Sequence, residues 1–196
     1  MISREKTEQI KQQVIEAADQ LFYKKGYNLT SFSDIAVASK IPRGNLNYYF
    51  KTKDDVLIAV IEYRVNEMKL MLLDWENEFK TPLERLQRYV QILPNVKNEV
   101  SRYGCPMGSL NSELGKVQRN LQIISKQQFC VFENWIKKQF QLMGLGNKSV
   151  ELAAHLMVLT QGLATMTYIH QDTRMINKEL KSTTSWLVSL AKEKNK

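Results

Sequence analysis

Arg43, Gly44 and Asn45 stand together in the run RGNLNYYFKTK, followed by Asn47, Tyr48, Tyr49 and Lys53. These side chains suit contacts with bases and phosphates. Arginine pairs with the two acceptors of guanine, and asparagine with the donor and acceptor of adenine. Tyrosine hydroxyls and a lysine ammonium reach phosphate oxygens. Gly44, a poor helix former, lets the backbone come close to a base or a phosphate. Phe50 is assigned to the core, and one of the two tyrosines is expected to pack inward.

Such contacts need a rigid mount, and the flanking sequence supplies the signals for one. Ile10, Val14, Ala17, Ala18, Leu21 and Phe22 recur at steps of three and four, the apolar stripe of an amphipathic helix that Lys24, Lys25 and Gly26 bring to a close. Thr30 or Ser31 can cap a short second helix through Ile35, Ala36 and Ala38, with Asp34 in its first turn. Pro42 disfavours helix at the residue before it and suits the start of a third helix over 43–49. Two short helices around a tight turn make a helix-turn-helix pattern, the second helix leading with Arg43, Gly44 and Asn45. The candidate DNA contacts are Thr30, Ser31, Arg43, Gly44, Asn45, Asn47, Tyr48, Tyr49 and Lys53.

Charge points the same way. The 196 residues carry a net charge of +8. Residues 1–53 hold nine Lys or Arg against five acids, residues 174–196 hold six against two, and the stretch between is balanced at thirteen each. A basic end beside a neutral body fits a module that meets a polyanion, although solvated lysines alone do not require one. The start of the chain has no apolar core of a leader, and no run of eighteen apolar residues occurs, so a cytoplasmic protein without a membrane partner is expected. Cys105, Cys130, His155 and His170 show no zinc spacing, so neither metal nor cofactor is expected. No phosphate loop, carboxylate pair or nucleophile elbow suggests an enzyme.

From about Val14 to Val60 the motifs LFYKKGY, TSFSDIA, RGNLNYYF and KTKDDVL together resemble the DNA-binding region of the tetracycline repressor (TetR) family of transcriptional regulators. The resemblance implies an all-α homodimer of about nine helices, with a DNA-binding domain at 1–53 and a ligand-binding and dimerisation domain at 54–196. It further implies a repressor that binds a palindromic operator in double-stranded DNA and is released by a small-molecule inducer. The chain departs from the family at three positions. Lys40 stands where the family usually has glycine, and a left-handed lysine costs on the order of 1 kcal/mol. Pro42 replaces a serine cap, and Asn47 replaces an aromatic residue, which bears on the operator sequence.

Beyond Lys53 the pattern remains helical. Apolar residues at core spacing predict helices over 54–79, from Pro82 through Leu93 with an interruption at Pro94, over 118–142, 150–170 and 176–193. Leu156, Leu159, Gly162, Leu163 and Met166, with Trp186 and Leu190, are the candidate dimer seam, and an intramolecular core is the alternative. Residues 104–114, GCPMGSLNSEL, mark a bend at Gly104, Pro106 and Gly108 followed by a helix. That segment resembles a Gly-Cys, Gly, Leu, Glu-Leu pattern in one branch of the family, some of whose members respond to electrophiles, oxidants or acyl compounds. Cys105 is then either a sensor thiol or a small buried hydrophobe. Trp75, Tyr89, Cys105, Met107, Phe132, Trp135, Met157, Gln161 and Tyr168 are the candidate ligand contacts.

Overall fold

Each helix boundary follows from a local cue. The stripe from Ile10 to Phe22 gives α1, Arg4–Lys24, and Gly26 follows it at φ 90°. Ser31 caps α2, Phe32–Ala38, in a reciprocal arrangement: its hydroxyl accepts from the Asp34 amide while the Asp34 carboxylate accepts from the Ser31 amide. Pro42 precedes α3, Arg43–Tyr49. Thr52 and Asp55 make the same reciprocal cap at the start of α4, Lys53–Glu78. The computed structural model describes residues 4–193; Met1 to Ser3 and two lysines of the basic C-terminal run, Lys194 and Lys196, lie outside the described residues.

The chain continues through α5, a run of three segments at Pro82–Val90, Ile92–Asn95 and Lys97–Tyr103. Next come α6 at Pro106–Val117 and α7 in two segments, Arg119–Ser125 and Gln127–Leu142. The last two are α8, Ser149–His170, and α9, Arg174–Glu193. Counted this way the described residues form nine helices and no strand. The run expected as one helix over 118–142 starts at Arg119 and breaks at Lys126. There the buried Gln128 side chain donates to the carbonyl and hydroxyl of Ser125, so a side chain intrudes into the backbone ladder. The bend expected across 104–108 is confined to Gly104, at φ 80°, and Gly108 lies within α6.

Packing divides the chain into two compact units, Met1–Glu67 with Met107–Gln128, and Met68–Pro106 with Phe129–Lys196. The first unit thus extends past Lys53 and takes in a distant stretch of sequence. Its interior includes Val14, Ala18, Ile35, Leu46, Leu57 and Leu114, all at most 1% exposed. Asn111 and Gln122 are bonded to each other in this unit, the Gln122 amide donating to the Asn111 carbonyl and side-chain oxygens at 3.3 and 3.2 Å.

The second unit has its own core, with Leu86, Ile136, Phe140, Leu156, Ile176 and Leu187 fully buried. Its α4 portion ends in a closed set of polar contacts. Arg85 donates from Nε to the Phe79 carbonyl at 3.0 Å and from Nη2 to the Glu76 carbonyl at 2.9 Å, satisfying acceptors that a helix C-terminus leaves free. Glu76 in turn accepts from Lys138 at 2.9 Å and from Gln139 at 3.2 Å. By length and composition Gly146–His170 is apolar enough to cross a bilayer, which the absence of an eighteen-residue apolar run did not suggest. Its outer face carries Val150, Ala154, Val158, Gly162, Met166 and Ile169, all exposed. Arg85→Met keeps the apolar stem but removes the donors, and urea denaturation is expected to show a loss of about 1–3 kcal/mol.

Candidate nucleic-acid interface

A helix of seven residues has few hydrogen bonds of its own, so α3 is held by what it buries. Leu46 is fully buried and Phe50, at its C-cap, is 7% exposed. With those two fixed inward, the helix turns Arg43, Gly44, Asn45, Asn47 and Tyr48 outward, all exposed, and leaves Tyr49 half-buried. Tyr48 is 70% exposed and meets Tyr49 edge to face at 5.1 Å. A methyl group placed on Gly44 would find no atom within 4 Å, so nothing inside the protein requires glycine there.

The turn before α3 is a tight one. The Ile41 amide donates to the Ala36 carbonyl and the Lys40 amide to the Val37 carbonyl, both at 3.1 Å, the bond pair of a Schellman closure. It needs a left-handed residue, and Lys40 takes that role at φ 56°. Asp34 sits in the first turn of α2, where Lys25 and the Ser31 amide hold its carboxyl down to about 2.

Two expected DNA contacts are committed inward. Thr30 is 1% exposed and its hydroxyl donates to the Gly26 carbonyl at 2.7 Å. Lys53 donates to the carbonyls of Tyr27 and Thr30, both at 2.9 Å, and its ammonium lies 4.0 Å from the centre of the Tyr27 ring. Burial pulls it below the usual ammonium range, with Asp54 and Glu113 acting against that pull. Both residues therefore shape the 26–30 loop from within, a role that pairing with carbonyls explains and that residue type alone does not reveal. Ser31 remains exposed, but its hydroxyl is occupied by the cap. Glu113, the Glu of the Gly-Cys pattern, for which the sequence suggested no partner, accepts the amides of Tyr27 and Asn28 at 3.0 and 2.7 Å.

The expected ligand contacts in the second unit pack mostly on one another. Trp75 meets Trp135 at 5.9 Å and Tyr89 meets Phe132 at 5.3 Å. The Tyr89 hydroxyl lies 3.2 Å from the Met157 sulfur and 3.1 Å from the Thr160 hydroxyl, and burial pushes its pKa up to about 12. Cys105 is half-buried against Leu93, Val100, Ala164 and Ile176, and Cys130 is half-buried as well. Gln161 is half-buried and Tyr168 exposed; Met107 belongs to the first unit. A cavity of about 330 Å³ lies instead among α5, α8 and α9, lined by Val90, Leu93, Leu159, Leu163, Ile176 and Leu180, with Thr160, Thr183 and Glu179 as its polar members. None of the expected ligand contacts lines it.

Residues 14–60, the stretch that builds this exposed helix and its supports, match the family model for bacterial regulatory proteins of the tetR family. The match covers 47 of the 196 residues. Over 170 residues it is 29% identical to an uncharacterised HTH-type transcriptional regulator from the lacX 3' region of Lactococcus lactis subsp. lactis, covering 85% of this chain and 87% of that one. The fold is similar to that of a TetR transcriptional regulator from Legionella pneumophila, with a TM-score of 0.77 at 23% identity, over 90% of this chain and 94% of that one. It is also similar to a TetR-family regulator from Cytophaga hutchinsonii, with a TM-score of 0.82 at 17% identity, over 94% and 96% of the two chains. These relatives and solved structures are transcriptional regulators by name.

Lys40 is exposed, so replacing it isolates the backbone cost of its left-handed conformation. Lys40→Gly is expected to raise stability by about 1 kcal/mol, read from the shift in denaturation midpoint at unchanged slope.

Proposed function

We propose that the protein is a repressor that reads a palindromic operator as a homodimer and leaves it when a small molecule binds. The exposed N-terminal half of α3 carries this reading: Arg43 and Asn45 face solvent beside open space at Gly44, on a helix anchored from behind by Leu46. Arg43 and Asn45 read base edges in the major groove, Asn47 and Tyr48 add base or phosphate contacts, and Tyr49 joins them from its half-buried position. Ser31, at the N-terminus of α2, adds a phosphate contact through the start of that helix. The reading unit is the domain at 1–53 supported by what packs on it, and the remainder binds the ligand and the second subunit. Working on DNA, the protein is placed in the cytoplasm.

Two α3 helices are needed to read a palindrome, one turn of DNA apart. The exposed apolar stripe Val150, Ala154, Val158, Gly162, Met166 and Ile169 on α8 supports a second copy as its cover, because a stripe of that length is costly in water. Of the residues first expected at the seam, Gly162 and Met166 belong to the stripe. Leu156 is fully buried; Leu163, which packs on the Leu93 cluster, and Trp186, which packs on Phe140 and His155, are half-buried and keep an exposed part for a second subunit. Leu159 and Leu190 are half-buried.

The inducer belongs to the second unit. The cavity is of a size that holds small ligands, and its apolar walls with few polar groups favour a neutral or aromatic molecule. Thr160 links it to Tyr89. Ligand binding there, beside Cys105, shifts the long helix that carries Trp75 and changes the separation of the two α3 helices. Such coupling needs the ligand to bind the DNA-free state more tightly, by a few kcal/mol. Cys105 as an electrophile sensor rests on its likeness to the Gly-Cys branch, and the residue is half-buried.

Selecting bound fragments from randomised DNA tests the reading head. The parent is expected to recover an inverted repeat, and an Arg43→Ala, Asn45→Ala double variant to lose it, each lost contact weakening selected DNA by about 1–3 kcal/mol. Gly44→Ala, which meets no internal atom, is expected to leave the fold as stable or more so while weakening binding to the selected site. Equal recovery by parent and double variant would show that α3 does not read DNA. Ala154→Glu, on the exposed stripe and outside the cavity lining, is expected to convert the dimer to a monomer in sedimentation without unfolding it.

A further inference from the structure

Glu113 stands 85 residues away in sequence from the loop it holds. The Tyr27 and Asn28 amides follow the end of α1, where backbone donors have no further helical acceptor, and both point at one carboxylate: Oε2 accepts from Tyr27 and Oε1 from Asn28. Gly26 makes this approach possible. A Cβ there would lie 3.2 Å from Oε2, and its φ of 90° is already one that side chains resist.

The same loop is gripped from its other side. Lys53 takes the Tyr27 and Thr30 carbonyls, the Tyr27 hydroxyl donates to Asp54, and the Tyr27 ring packs on Phe22 at 5.3 Å. Thr30 closes the loop on the Gly26 carbonyl, and the next residue, Ser31, caps α2. Lys53 and Asp54 begin α4, so their grip is local to the DNA-binding sequence. Glu113 alone among these partners comes from outside it, on α6, the helix that starts directly after Gly104 and Cys105.

We propose that Glu113 is a positioning residue for DNA reading, a carboxylate latch on the Tyr27 and Asn28 amides through which movement of α6 sets the position of α2 and α3. With the latch closed, the loop and the α2 cap have one arrangement and α3 is presented in register. With it open, two amides lose their acceptor, the loop samples other conformations, and affinity for the operator falls while nonspecific attraction between the basic surface and DNA stays. The proposal rests on the reading of α3 as the DNA-reading helix.

The test measures amide hydrogen exchange by NMR and DNA binding in the parent, Glu113→Gln and Glu113→Ala. In Glu113→Ala, protection at Tyr27 and Asn28 is expected to vanish while Val14, Ala18 and Val60 keep theirs. Affinity for the DNA fragment selected by the parent is expected to fall at least about tenfold, with binding to random-sequence DNA unchanged. Glu113→Gln, which retains one acceptor oxygen, is expected to recover part of both losses. Open amides with parental operator affinity would overturn the latch, as would amides that stay protected without the carboxylate. Loss of protection across α1 and α4 together would reduce Glu113 to a general stabilising contact and overturn it too. A parent that selects no DNA sequence would overturn the reading beneath the proposal, an outcome distinct from the others because it appears before any variant is made.

Discussion

A seven-residue helix is too short to persist in water on its own, since the cost of nucleation exceeds what so few internal hydrogen bonds return. The helix proposed to read DNA is of that length. Everything it presents therefore depends on the burial of Leu46 and Phe50 behind it and on the tight turn through Lys40 that delivers it from α2. Fixing those inward residues determines by helical geometry that Arg43, Gly44, Asn45 and Asn47 face outward. The set of exposed side chains is a consequence of packing.

Tyr27 is the point at which that packing is secured. Its ring, hydroxyl, carbonyl and amide are all engaged, by Phe22, Asp54, Lys53 and Glu113 in turn. Burial, followed by the bond to Asp54, raises its phenol above the ordinary range, so the hydroxyl remains a donor at any physiological pH. A residue bonded through every group leaves its loop little freedom, which suits a loop that leads directly into a capped helix. The second unit is built differently: its aromatic residues fill their own interior, its cavity lies among α5, α8 and α9, and an exposed apolar stripe on α8 borders that cavity through Val158, Gly162 and Met166.

What was legible in the sequence is what local chemistry dictates. Ser31 with Asp34, Gly26 after two lysines and Pro42 before Arg43 announce three helices through capping and backbone preference, and the structure has them within a residue or two. The long helices followed from apolar periodicity in the same way. Contacts that join distant residues were not legible. Glu113 stands out in the sequence only as part of the Gly-Cys pattern, with nothing to pair it with the Tyr27 amide, and Lys53 and Thr30 read as phosphate ligands until their carbonyl partners appear. The break at Lys126 depends on a glutamine side chain turning back on its own helix, which no periodicity records. Periodicity also marks Leu156 and Val158 alike as apolar, and only packing shows that the first is inside and the second outside.

The most direct test of a dimer that reads DNA through two α3 helices is a methylation-interference footprint on a duplex the protein selects. Methyl groups on guanine N7 project into the major groove, where Arg43 would need that atom. The account predicts two blocks of interference related by a twofold axis and centred about one helical turn, roughly 34–36 Å, apart or a multiple of it. Interference confined to a single block, or none despite tight binding, would contradict it.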